Sequence, residues 1–157
     1  MATEIERKFL VRGNDWRQGR PLRISQGYLN RDKARTVRIR IAENRAYLTI
    51  KGPSQGASRA EYEYEIPRHD AEELIALCEG PPLEKNRYTV THAGATWEID
   101  EFLGANAGLI VAEIELANEE QAFQRPAWVS TEVTHDPRYF NSSLIAAPYT
   151  TWPQTSS

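Results

Sequence analysis

Charged residues recur at every second position in segments that read as strands. Glu4, Glu6 and Lys8 alternate with Ile5 and Arg7, and Glu113 and Glu115 flank Ile114. Between them lie Arg38-Ile39-Arg40, Glu61-Tyr62-Glu63, Lys85-Asn86-Arg87 and Glu98-Ile99-Asp100. A strand has a side-chain period of two, so each set points to one face, with successive same-face positions roughly 7 Å apart. Carboxylate pairs at that spacing suit a hard divalent ion such as Mg2+ or Mn2+, which takes oxygen ligands from one or two carboxylates and from substrate phosphates. If the strands carrying Glu4/Glu6 and Glu113/Glu115 face each other, a metal ion fits between them. The arginines present planar forks that match phosphate oxygens two at a time. The chemistry these residues suit is that of a metal ion and a polyanion.

Short strands have to position them. Residues 4–11, 24–29, 36–42, 45–51, 59–66, 83–92, 96–102 and 109–116 read as strands, with hairpin turns at Glu43-Asn44 and around Ala93-Gly94-Ala95. Residues 70–78 read as a helix capped by Asp70, with Leu74, Leu77 and Cys78 on its apolar face. Residues 119–123 suggest a helical turn, 128–136 an irregular or briefly helical stretch, and 142–147 a last small helix. The Gly- and Ser-rich loop 52–58 is placed to cover a tunnel mouth. About eight strands with few helices favour a sandwich or barrel.

The common arrangement would bury Val37, Ile39, Ile41, Leu48 and Ile50 and leave the charges in water. The alternative turns the apolar faces outward against helices and loops and the charged faces inward, lining a wet tunnel in which acids and bases satisfy one another. Arg-rich strand faces favour the tunnel.

The chain has 157 residues, 40% hydrophobic and 26% charged, with a formal net charge of -3. That is one domain, read as residues 1–150 with a frayed tail at 151–157. The charge argues against a general nucleic-acid binder. No apolar run approaches a membrane span, no signal-peptide pattern is present, and the expected compartment is the cytoplasm. The lone Cys78 rules out an intrachain disulfide. His69, His92 and His135 read as surface or hydrogen-bonding groups. The sequence leaves a homodimer open.

Glu4-Ile5-Glu6-Arg7-Lys8-Phe9 resembles the ExExK signature of the CYTH family, the triphosphate tunnel metalloenzymes. Val37–Arg40, Leu48–Gly52, Ser58–Glu63, Glu84–Tyr88, Trp97–Asp100 and Ala112–Glu115 follow in the family's order, and Glu132–Asn141 resembles its terminal EVTxDxRYxN segment. The resemblance implies a mainly β fold: an eight-stranded antiparallel closed barrel forming a hydrophilic tunnel, with a few peripheral helices. It implies metal-side carboxylates at Glu4, Glu6, Glu113 and Glu115, and a phosphate clamp of Lys8, Arg38, Arg40, Lys51, Lys85, Arg87 and Arg138. Glu61, Glu63, Glu98 and Asp100 match acidic positions that would hold a second metal or orient water, and Tyr28 is a candidate substrate contact. Phe140 stands where some small bacterial members carry Lys. The expected activity is Mg2+- or Mn2+-dependent hydrolysis of inorganic tripolyphosphate to pyrophosphate and phosphate. A class IV-type adenylyl cyclase, a thiamine triphosphatase and a non-catalytic polyphosphate-binding module are the alternatives.

Overall fold

The computed structural model describes residues 3–153. Among them are nine strands, β1 (Thr3–Val11), β2 (Leu22–Asn30), β3 (Thr36–Ala42), β4 (Arg45–Lys51), β5 (Ser58–Ile66), β6 (Leu83–His92), β7 (Ala95–Phe102), β8 (Ile110–Glu115) and β9 (Val129–Glu132). Two helices, α1 (Arg68–Ala76) and α2 (Asn141–Ala146), lie outside the strand set. Hydrogen-bonded neighbours run β5-β4-β3-β2-β6-β7-β8-β1, and β5 returns to β1 through Thr3–Ile5 to close an eight-stranded antiparallel barrel. Closure pairs every strand of the ring on both sides and leaves an edge only where β1 runs on beyond its short pairing with β5. No helix among the described residues is long and apolar enough to cross a membrane.

Two tight hairpins fix the local register. Ala42 pairs with Arg45, and Glu43 takes φ 53°. His92 pairs with Ala95 across Ala93 and Gly94, with φ 51° and 80°, the left-handed pair a two-residue turn needs to match strand twist.

The wall is apolar outside and charged inside. On one side Phe9, Trp97, Ile99, Ile114 and Val129 pack with Trp16 and Trp128 under the loops that flank β1 and β8. Opposite, Ile39 and Ala46 meet Ala71 of α1, with Leu48, Ile66 and Leu74 around them. Gly27 permits this approach, because a Cβ there would lie 2.9 Å from Cys78 Sγ. A third cluster, Leu83, Phe102, Leu109 and Val111 with Leu144 of α2, fills one end of the barrel. The pairings Lys85↔Phe102 and Asp100↔Val111 place its members on the same inward face as the charges.

Four local expectations change. β9 occupies the stretch expected to be irregular, because β1 beyond β5 has an edge to fill: Arg12 N donates to Trp128 O and Val133 N to Lys8 O, each at 2.8 Å. That pairing is tertiary and has no local signature. Helix α1 begins after Pro67 without a side-chain cap, so Asp70 sits in its first turn and does not cap it; the helix ends at Ala76. The segment 119–123 forms only a turn, closed by Gln121 N on Asn118 O. Of the expected frayed tail, residues 149–151 form a 3-10 turn, and the Trp152 ring lies 5.2 Å from Tyr139 and 5.1 Å from Tyr149. Residues 154–157, like residues 1–2, lie outside the described residues.

Arg7 fastens β9 to β1 through a two-pronged pair with Glu132, Nε to Oε2 at 2.8 Å and Nη2 to Oε1 at 2.6 Å. The bonds from Arg7 hold the Glu132 carboxyl down at about 2, against partial burial. A depressed carboxylate stabilises the fold above its unfolded value near 4.5, and that contribution fades as pH falls through about 2. Glu132→Gln is therefore expected to lose on the order of 1–2 kcal/mol at pH 7. The difference from wild type should vanish in thermal melts near pH 2. A pH-independent difference would assign the loss to packing.

Candidate active site: a charged tunnel

The inward faces meet in two connected chambers. One, of about 280 Å³, is lined by Lys8, Arg38, Arg40, Lys51, Arg59, Lys85 and Arg87 against the carboxylates Glu6 and Glu113. The other adds Glu4, Glu61, Glu63, Glu98 and Glu115 around four of the same cations. The tunnel is thus polarised, cationic in one chamber and acidic in the other, with Glu6, Glu113, Arg38, Arg40, Lys51 and Arg87 shared. Strand pairing produces this directly: Glu6 lies opposite Glu115, Lys8 opposite Glu113, Glu98 opposite Glu113 and Arg87 opposite Asp100.

Most charges are matched. Lys51 Nζ donates to both oxygens of Glu4 at 2.9 and 3.0 Å and lies 3.5 Å from Glu61. Lys8 Nζ sits 3.4 Å from Glu113 and 3.6 Å from Glu6. Arg38 Nη2 donates to Thr49 Oγ1 at 3.2 Å and lies 3.5 Å from Glu63. Arg87 Nη1 reaches Glu98 at 3.2 Å. Glu115 is exposed at the acidic mouth.

Burial and neighbours set the protonation states. Burial, with Glu113 and Glu4 nearby, pushes the Glu6 carboxyl up to about 7 despite Lys8. Glu113 is equally buried, yet Lys8, Arg87 and Lys85 hold it at about 2. Asp100 stays ionised in spite of burial because Arg87 and Lys85 both bond it. Lys85 falls to about 7, because burial, Arg87 and Arg40 outweigh its one close anion. An anion bound beside this lowered amine should draw a proton to it. Tripolyphosphate binding in EDTA is therefore expected to take up protons at pH 8 and fewer at pH 5.5, read as a buffer-dependent heat in calorimetry. Lys85→Met should reduce the uptake, and an unchanged uptake would place the titrating group elsewhere.

A family model described as CYTH domain matches residues 2–149. The chain belongs to the CYTH family. An inorganic triphosphatase of Acetivibrio thermocellus is 50% identical over 151 residues, spanning 95% of this chain and 97% of its own. An inorganic triphosphatase of Nitrosomonas europaea is 37% identical over 146 residues, spanning 90% and 96%. A crystal structure of an inorganic triphosphatase superposes with TM-score 0.65 at 35% identity, covering 90% of this chain and 96% of that one.

Within this CYTH barrel two expected site residues stand apart. Arg138 is exposed on the outer surface, bonded to Asp136 through Nη2 at 2.7 Å and lying over the Tyr139 and Trp152 rings. The 3-10 turn at Pro137–Tyr139 turns it away from the tunnel. Asp100 has both oxygens committed, Oδ1 to Arg87 Nε at 2.8 Å and Oδ2 to Arg87 Nη2 at 3.0 Å and Lys85 Nζ at 2.7 Å. It anchors two cations and is buried behind them, outside the lining of either chamber. Tyr28 is buried and lines the cationic chamber.

Arg59, Gln26 and Asn141 were not picked out from sequence. Arg59 lies opposite Glu4 on β1 and two residues from Glu61, so strand periodicity carried its signal. Phe140 places its ring 5.7 Å from Lys8 Nζ and 5.4 Å from Lys33 Nζ, so a lysine from the β2–β3 loop brings its ammonium to that corner.

A divalent ion fits the donor set. Glu6, Glu113 and Glu115 offer hard oxygens, and the Glu6 carboxyl, raised first by loss of solvent and then by Glu113, would be relieved by a cation bound beside it. Among the described residues no three acidic, His or Cys side chains are already gathered at metal-binding geometry. Lys8 and Lys51 hold several of the carboxylates instead.

Proposed function

We propose that this chain hydrolyses inorganic tripolyphosphate to pyrophosphate and phosphate with the help of Mg2+ or Mn2+. The observation that carries the reading is the cationic chamber, where Lys8, Arg38, Arg40, Lys51, Arg59, Lys85 and Arg87 converge against the carboxylates Glu6 and Glu113. Converging cations of this kind call for a polyanion, and the forked guanidinium groups suit phosphate oxygens. The high identity to inorganic triphosphatases over nearly the full length of both chains supports the same reading.

In this reading the arginines and lysines neutralise the non-bridging oxygens and hold the linear chain in the tunnel. Water adds to a terminal phosphorus, the bond to the bridging oxygen breaks, and that oxygen leaves with the pyrophosphate. The cations stabilise charge as it shifts to the leaving group, and because their positions are fixed by Asp100, Thr49 and Glu113 they need not reorganise. Glu6, Glu113 and Glu115, with Glu4, would hold the metal, whose positive charge would offset that of the phosphates. Glu61, Glu63 and Glu98 remain candidates for a second ion or for orienting water.

The test is steady-state turnover of tripolyphosphate, ATP and thiamine triphosphate with Mg2+, Mn2+ or EDTA, resolving phosphate, pyrophosphate and cyclic AMP. Metal-dependent phosphate release, fastest from tripolyphosphate, is the expected result. Pyrophosphate with cyclic AMP from ATP would replace the reading with a cyclase.

A further inference from the structure

Building on the triphosphatase reading, we propose that Gln26 and Asn141 are positioning residues that hold Arg40 and Lys85 in place without adding negative charge beside them, so that the pair keeps its attraction for the substrate. Gln26 is fully buried on β2. Its Oε1 accepts from Arg40 Nε at 2.9 Å, so its amide nitrogen must donate, and does so to Asn141 Oδ1 at 3.0 Å. The same Oδ1 accepts from Lys85 Nζ at 2.7 Å. Two donors on one oxygen fix the orientation of the Asn141 amide and leave its Nδ2 for the cavity that Asn141 lines.

The neutrality of this bridge is its informative property. Lys8, Lys51, Arg38 and Arg87 all have carboxylate partners in the tunnel. Arg40 makes no ion pair among the described residues, and Gln26 is its hydrogen-bond acceptor. A half-buried arginine beside Arg38 and Arg87 calls for a carboxylate, and its guanidinium is pushed down to about 9 by loss of solvent and those two neighbours. Glutamate at position 26 would supply that partner with the same reach. An amide there orients the guanidinium at a cost in stability and leaves it electrostatically unspent. Asn141 likewise gives Lys85 an uncharged acceptor beside its one close carboxylate, Asp100 at 2.7 Å, which Lys85 shares with Arg87. Because Asn141 opens α2, the bridge also ties the end of the barrel to the cations.

Two carboxylate swaps separate charge from shape. Asn141→Asp keeps an acceptor for both Gln26 and Lys85 and adds a negative charge. Gln26→Glu adds the charge at a buried position. Each full-length variant is expected to fold, with thermal stability equal to or above wild type. Each is expected to bind tripolyphosphate in EDTA about tenfold or more weakly by calorimetry, and to raise KM more than it lowers kcat. Binding and KM within about twofold of wild type in both would overturn the proposal, as would a loss confined to kcat. If one variant fails to fold, the other decides. Collapse of both would make the amides a structural requirement and also overturn it. Wild-type turnover, measured in parallel, tests the triphosphatase reading separately: weakened binding in the variants without wild-type turnover would retain this inference and remove that reading.

Discussion

Glu6→Gln is expected to lower metal-dependent turnover by about 100-fold or more while the protein stays folded and melts at the same or a higher temperature. The two effects have one origin. Glu6 is half-buried near Glu113 and Glu4, and its carboxyl is pushed up to about 7. An amide of the same shape removes the strain and with it the hard oxygen that a divalent ion would take. Glu115→Gln should share the loss of turnover, because Glu115 pairs across from Glu6. It should gain less stability, since Glu115 is exposed. The measurement is kcat/KM against Mg2+ concentration beside a thermal melt. Turnover within about threefold of wild type in both variants would sink the metal assignment.

Arg40→Ala is expected to weaken tripolyphosphate binding by about 10- to 100-fold, the range for one charge-assisted hydrogen-bonding group. Arg20, on the outer surface with a side chain 84% exposed, serves as the control, and Arg20→Ala should leave binding unchanged. Burial and repulsion from Arg38 and Arg87 already disfavour the Arg40 charge. Truncation should therefore not destabilise the empty protein as much as a lost buried ion pair would. Equal effects from Arg40→Ala and Arg20→Ala would return the strand arginines to the role of a solvated surface.

What the sequence made legible was period two. Glu4, Glu6 and Lys8 on one face and Ile5 and Phe9 on the other are enough to read both the wall and its lining, and the pairing confirms the sides. The barrel followed from strand count and from the family resemblance together. What the sequence hid depends on distant segments meeting. β9 exists because β1 has an unpaired edge, and nothing in residues 129–132 announces it. Arg138 looked like Arg40 in its motif, but its backbone turns through a 3-10 helix and Asp136 captures it locally. Asp100 looked like Glu98 two residues away, yet it lies level with Arg87 and within reach of Lys85. Gln26 and Asn141 carry no formal charge, so the alternation of charges along the strands does not mark them.

The outward placement of the apolar clusters on β1, β7 and β8 and beneath α1 bears on folding fidelity. If β1 slipped by one residue against β8, Ile5 and Phe9 would enter the tunnel and Glu4, Glu6 and Lys8 would be pressed toward Trp97 and Ile114. Each misplaced charge would lose its partner in an apolar setting, a penalty of several kcal/mol per ion. In an ordinary sheet a slip exposes oil to water; here it would also drive ions into oil. The residues proposed to grip a triphosphate would therefore proofread strand alignment before any substrate arrives.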